Sequence, residues 1–206
     1  MVKPISKGQE TRMRILRETA PLLNKRGFLS TPLADILKVA GLEKGGLYHH
    51  FASKEDLAIA AFELSVQQVG ERFQRALQGK AGAGAITKLK ALVEAYREFK
   101  ESKRMEDGGG PILNAAVESD DMHPRLRDAA RLAVDRWRGT INRLIGEGVA
   151  SGEIPPDVHP DDAATWIIAS TEGDVMLSNL YKDPVYLNRS LDQILSYIDS
   201  HLKLPG

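Results

Sequence analysis

Apolar residues recur three and four positions apart along nearly the whole chain, and no segment alternates apolar and polar residues over the length of a strand. That periodicity predicts an all-α fold of about nine helices. Ile15, Leu16, Ala20 and Leu23 form the apolar face of a first helix, which Pro21 should bend without ending. Leu33, Ile36, Leu37 and Ala40 mark a short second helix. Thr31 is its expected N-cap, Pro32 its first residue and Gly41 its stop. A third helix should run from about Lys44 to Phe51, and Ser53 should cap a long fourth that begins at Lys54 and reaches about Leu77. The fourth carries two apolar stripes, one through Leu57, Ala61 and Leu64 and the other through Phe62, Val66, Val69 and Phe73, as in a helix packed on two sides.

The breaks are equally plain. The run GKAGAG at 79–84 interrupts the pattern, and it lacks the upstream glycine and the hydroxyl residue of a phosphate loop. Helix resumes with Ala85, Leu89, Leu92, Tyr96 and Phe99, and breaks again at Gly108 to Pro111. A short segment around 112–118 follows. Pro124 then opens a long helix bearing Leu126, Ala130, Ala133, Trp137, Ile141, Leu144 and Ile145. Two more helices are expected over about 161–180 and 185–202.

Residues 33–57 are the most informative stretch. Two short helices joined by a tight turn, with a third directly behind them, are the layout of a helix-turn-helix that reads DNA. Gly45 and Gly46 each lower helix propensity by roughly 1 kcal/mol, so something other than helix stability should require them. Close approach to a phosphate or a base edge is such a requirement. Lys44 is suited to a guanine edge, and Lys54, a cation in a first helical turn, reads as facing a phosphate. The expected DNA contacts are Thr31, Lys44, Gly45, Gly46, Tyr48, His49, His50 and Lys54. Adjacent histidines point about 100 degrees apart on a helix and cannot share one metal, so His49 is assigned to the groove and His50 to a phosphate, with solvated surface as the alternative for either.

Charge sharpens the division. The chain is formally neutral, yet residues 1–54 hold ten Lys and Arg against four Asp and Glu, while the remainder holds eighteen against twenty-four. A basic head on an acidic body suits a protein that offers one end to a polyanion.

Taken together, Gly46-Leu47-Tyr48-His49-His50-Phe51 and Ser53-Lys54-Glu55-Asp56-Leu57 resemble the TetR/AcrR family of bacterial transcriptional regulators, as do Ile15, Leu16, Ala20, Leu23, Gly27 and Phe28 upstream. Glu43 and Gly46 depart from that pattern, standing where a small hydroxyl residue is frequent. The resemblance implies a helix-turn-helix domain at 1–53 and a helical ligand-binding and dimerisation domain at 54–206. It also implies a repressor released from a palindromic operator by a small-molecule effector, with Tyr48 reaching the phosphate backbone and the last two helices pairing two subunits.

Pairing is also what the helix-turn-helix itself asks for, since two half-sites need two heads roughly 34–36 Å apart. The apolar stripe Leu187, Leu191, Ile194, Leu195 and Ile198, with Ile168, Gly173 and Val175 on the preceding helix, is the expected contact; burial inside one chain is its alternative. For an effector pocket the expected lining is Tyr96, Phe99, Met105, Asn114, Trp137, Trp166, Glu172 and Met176, which combine aromatic area with a few polar groups. Ordinary core is the alternative for each apolar one.

The chain contains no cysteine, which excludes disulfides, thiolate sensing and zinc–thiolate sites. No apolar run approaches a membrane span, and the first residues lack a signal peptide's apolar stretch, so the expected location is the cytoplasm. No metal site, cofactor or nucleophile–base pair stands out. A DNA-binding architectural protein without ligand response is the competing reading, and an all-helical enzyme or carrier has no residue constellation in its favour.

Overall fold

The computed structural model describes residues 6–102, 110–119 and 123–204. Its nine α-helices among those residues are α1 (Lys7–Arg26), α2 (Leu33–Ala40), α3 (Lys44–Tyr48), α4 (Lys54–Gln78), α5 (Ala85–Ser102), α6 (Pro111–Ser119), α7 (Pro124–Ala150), α8 (Pro160–Tyr181) and α9 (Val185–Tyr197), followed by a π-helical turn at Ile198–Leu202. There is no strand among the described residues.

The chain divides into two compact units, and the division does not fall at residue 53. One unit comprises residues 1–67 with 106–131, the other 68–105 with 132–206, so α4 and α7 each contribute to both. In the first, Ile15, Leu23, Phe28, Ile36, Leu47, Leu57, Phe62, Ala115 and Leu126 are fully sealed from solvent. Phe28 and Phe62 meet edge-to-face with ring centroids 5.5 Å apart, the arrangement that aromatic quadrupoles favour. Pro21 leaves α1 continuous, as expected. The second unit packs α5, α7, α8 and α9 around Leu89, Ile141, Leu144, Ile145, Ala164, Ile167, Val175, Leu191 and Ile198.

Three local expectations are corrected. Thr31 does not cap α2; Pro32 occupies that position without a side-chain hydrogen bond. The Thr31 hydroxyl is fully buried and donates to the Gly27 carbonyl at 2.6 Å, because closing the α1–α2 turn uses it first. Helix α3 is shorter than its apolar pattern suggested, with His49 and His50 already in the turn that follows. The α9 stripe faces its own chain. Leu187, Leu191, Ile194 and Ile198 are each at most 4% exposed, and Val175 and Ile168 are buried with them, so they are core rather than contact surface.

Candidate DNA-reading head and effector cavity

The helix-turn-helix is assembled by two turns. Gly27, at φ +99°, lets α1 end and the chain double back, and Thr31 latches that turn. Gly41, at φ +61°, ends α2 in the left-handed region, where glycine carries no side-chain penalty. Helix α3 follows, with only Leu47 buried. Lys44, Gly45, Tyr48 and His49 are exposed, while His50 and Gly46 are half-buried. The His49 and His50 rings meet nearly perpendicular at 5.1 Å.

The two glycines of α3 have no reason in the fold. A Cβ added at Gly45 would meet nothing within 4 Å, and one at Gly46 would make ordinary contact with Leu42. Neither has a positive φ. Their cost in helix propensity is therefore not offset by any local packing need.

Ser53 caps α4 as expected, its hydroxyl accepting from the Asp56 amide at 3.0 Å and donating to the Asp56 carboxylate at 2.9 Å. Arg125 also binds Asp56, at 2.7 Å, and Glu55, at 3.0 Å. Hydrogen bonding from Arg125 and then from Ser53 holds the Asp56 carboxyl below its ordinary range. Lys54 is redirected relative to the sequence reading: its ammonium donates to the Leu29 carbonyl at 2.5 Å. It braces the α1–α2 turn from behind.

The strongest brace was not anticipated. The Glu118 carboxylate on α6 accepts hydrogen bonds from the backbone N–H of Phe28 (2.5 Å), Leu29 (3.0 Å) and Ser30 (2.7 Å), and from the Ser30 hydroxyl (2.5 Å). Successive amides converging on one carboxylate form an anion nest. One turn earlier on α6, the Asn114 amide donates to the Asn24 carbonyl at 2.8 Å and to its side chain at 3.2 Å. Asn114 was expected in a ligand pocket; it instead ties α6 to α1.

In the second unit a narrow cavity of about 20 Å³ is walled by three rings, Phe73, Tyr96 and Trp137. Tyr96 and Trp137 stack at 5.9 Å and 27°, and Phe73 lies 6.4 and 6.1 Å from them. Leu89, Leu92, Val93, Ile141 and Ile167 complete the apolar wall, and Thr171 with Leu191 and Ile198 closes it. Burial, and then the nearby Glu172 charge, push the Tyr96 phenol well above its usual range, so it stays protonated. The same Glu172 charge acts on Lys100, whose ammonium burial pulls below the ordinary lysine range.

Of the eight residues expected around a ligand, two line this cavity, Tyr96 and Trp137. Phe99 is buried beside Tyr96, 6.5 Å between ring centres, under the Arg72 guanidinium. Glu172 does not line it and reaches Tyr96 only through its charge. Trp166 and Met176 are 42% and 49% exposed and point outward, and Met105 lies outside the described residues. Thr171 was the missed polar member, one position before the expected Glu172.

Trp166, Ala169, Gly173, Met176 and Leu180 share another feature. All but Gly173 are exposed, Gly173 is half-buried with open space beside it, and their spacing of three and four places them along one face of α8. At that face's margin Trp166 lies 4.4 Å from the Tyr197 ring on α9. No described helix is long and apolar enough to cross a membrane, and no group of three or more His, Asp or Glu among the described residues is placed to hold a metal.

Comparison with known proteins bears on both units. A model of bacterial regulatory proteins of the tetR family matches residues 15–61, and a model of the tetracyclin repressor-like C-terminal domain matches residues 85–194. The HTH-type transcriptional regulator TtgR of Pseudomonas putida is 26% identical over 202 residues, covering 95% of this chain and 91% of that protein. The HTH-type transcriptional repressor DhaR of a Mycobacterium species is 25% identical over 189 residues, covering 91% and 89%. The crystal structure of a TetR transcriptional regulator from Chloroflexus aurantiacus shares 41% identity with a TM-score of 0.88, covering 97% of this chain and 99% of that one.

Proposed function

Because the chain belongs to the TetR family of bacterial regulatory proteins, we propose that it is a cytoplasmic, homodimeric repressor that holds a palindromic operator through α3 and releases it when a small molecule fills the aromatic cavity. As a member of that family it is a DNA-binding transcriptional regulator and not an enzyme. Residues 1–53 supply the reading surface, and 54–206 the effector and pairing functions. The observation that carries the operator reading is α3 itself: exposed Lys44, Tyr48 and His49 beside two glycines that the fold does not need. Bare backbone at an exposed helix allows a duplex to approach more closely than any side chain would permit. Lys44 reads a base edge, Tyr48 and His50 reach phosphates, and His49 faces the groove; Thr31 and Lys54 act from behind by fixing the turn.

Pairing falls to the exposed α8 face, Trp166, Gly173, Met176 and Leu180, in place of the buried α9 stripe. Small residues between large ones let two copies of this helix approach closely, and an apolar strip of this kind calls for a partner. Two heads then address two half-sites. An effector acts only by its differential affinity for the released arrangement of those heads. Repression rests on the family and on the relative DhaR, a transcriptional repressor by name.

The test is to select bound fragments from randomised DNA at two salt concentrations. A two-fold symmetric consensus, bound about 10³-fold or more tighter than random sequence, supports the proposal. Salt-sensitive binding without a consensus supports the architectural alternative, and absence of binding refutes both.

A further inference from the structure

Resting on the reading of the exposed α8 face as the pairing surface, we propose that two copies of the chain meet through it antiparallel, with the two-fold axis passing at Gly173. The other side of α8, with Ala164, Ile167, Thr171 and Val175, is buried in the chain's own core. Along the outer side Trp166, Ser170, Gly173, Met176 and Leu180 follow one another at gaps of four, three, three and four, a series that reads the same in both directions from Gly173. A two-fold axis at that residue lays each of these positions on another of the same series. Ser170 meets the partner's Met176, Trp166 meets the partner's Leu180, and every contact is made twice.

Size, charge and space each select this arrangement over a parallel one. A parallel pair sets the Trp166 side chains on each other and the Met176 side chains likewise, bulk against bulk. It also opposes the two copies of Asp162, which is exposed at the start of the same helix. Antiparallel pairing sets bulky Met176 over small Ser170, and a rise of 1.5 Å per residue carries the two Asp162 residues about 33 Å apart. At the crossing, a Cβ on Gly173 would meet no neighbouring atom within 4 Å, so its backbone is bare toward a partner. Packed helices place their axes roughly 8–10 Å apart, and subtracting two Cα radii of about 2.3 Å leaves facing Cα atoms about 3.5–5.5 Å apart. The shorter end of that range needs a glycine at the contact.

Because the chain contains no cysteine, introduced cysteines report this register directly. The assay is mild oxidation of the full-length protein and a non-reducing gel, with light scattering for the subunit count and circular dichroism to confirm that each variant is folded. Gly173→Cys is expected to give a covalent dimer, since a disulfide spans Cα atoms about 4.4–6.8 Å apart. Ser170→Cys alone and Met176→Cys alone should not cross-link, because each lies about 9 Å along the helix axis from its own copy. The double variant Ser170→Cys/Met176→Cys should cross-link, and it cannot close within one helix, where the same distance of about 9 Å separates the two positions. Gly173→Leu should keep the fold and raise the dimer dissociation constant about 100-fold by overpacking the crossing from both sides. A dimer that Gly173→Cys does not cross-link, one that Ser170→Cys or Met176→Cys alone cross-links as readily, or one that Gly173→Leu leaves undiminished overturns the register. If the unsubstituted protein is a monomer by light scattering, the pairing reading itself fails and the register falls with it.

Discussion

Replacing Glu118 tests how the reading head is held. Its carboxylate collects three backbone amides and one hydroxyl at 2.5 to 3.0 Å. Hydrogen bonds to a charged acceptor contribute about 1.5–3 kcal/mol each where water is excluded. Ser30 is exposed, so water replaces much of its share, whereas Phe28 is fully buried and its amide has less access to solvent. A loss of roughly 3 kcal/mol for Glu118→Ala follows, from the bond to the Phe28 amide and part of the other three. For a chain of this length that lowers Tm by roughly 6–12 °C. Glu118→Gln keeps one acceptor oxygen but turns an amide NH2 toward backbone donors, and should lose about half as much. The matching assay is hydrogen exchange, in which the amides of Phe28, Leu29 and Ser30 should lose protection in step with the fall in Tm. Unchanged exchange at those three amides, with Tm within about 1 °C of the parent, would refute the nest as an energetic feature.

Further tests separate surface from support. Gly45→Ala should raise thermal stability by up to about 1 kcal/mol, since its Cβ enters open space, while weakening operator binding; stronger binding would remove the argument from bare backbone. Leu191→Glu should unfold the second unit, because a buried leucine becomes a charge, whereas Met176→Glu should leave the fold intact and yield monomers by light scattering. A folded Leu191→Glu monomer would return the contact to α9. Lys44→Ala should relax preference at one base pair per half-site, but Lys54→Ala should leave the salt slope of binding unchanged and only lower stability. A slope reduced by about one unit would place Lys54 on a phosphate after all.

Helix positions were legible because burial imposes a period that capping and breaking residues punctuate; Pro124, Ser53 and Gly41 all sit where the sequence puts them. The periodicity says that a face is covered without saying by what. Leu187, Leu191 and Ile194 have the same spacing whether they meet another subunit or α5 and α8 of their own. Polar side chains were harder for a related reason. Thr31, Lys54 and Asn114 each found a backbone carbonyl, and the partner of Asn114 lies 90 residues away in the chain. The cavity was only partly readable, since Leu89, Val93 and Ile167 look like any core residue until several helices bring them around one space.

The make-up of the first unit also bears on how the protein comes off the ribosome and on how it could be rebuilt. The reading head is synthesised first but cannot be completed first: Ala115, Leu126 and Ala130 belong to its buried interior, and Glu118 belongs to its turn. Until about residue 131 has emerged, the nascent helix-turn-helix exposes apolar surface and three unanswered amides, and is open to proteases and chaperones. Chimeras cut at residue 53 would inherit the same defect permanently. A transplantable head must carry residues 106–131 along with its own helices.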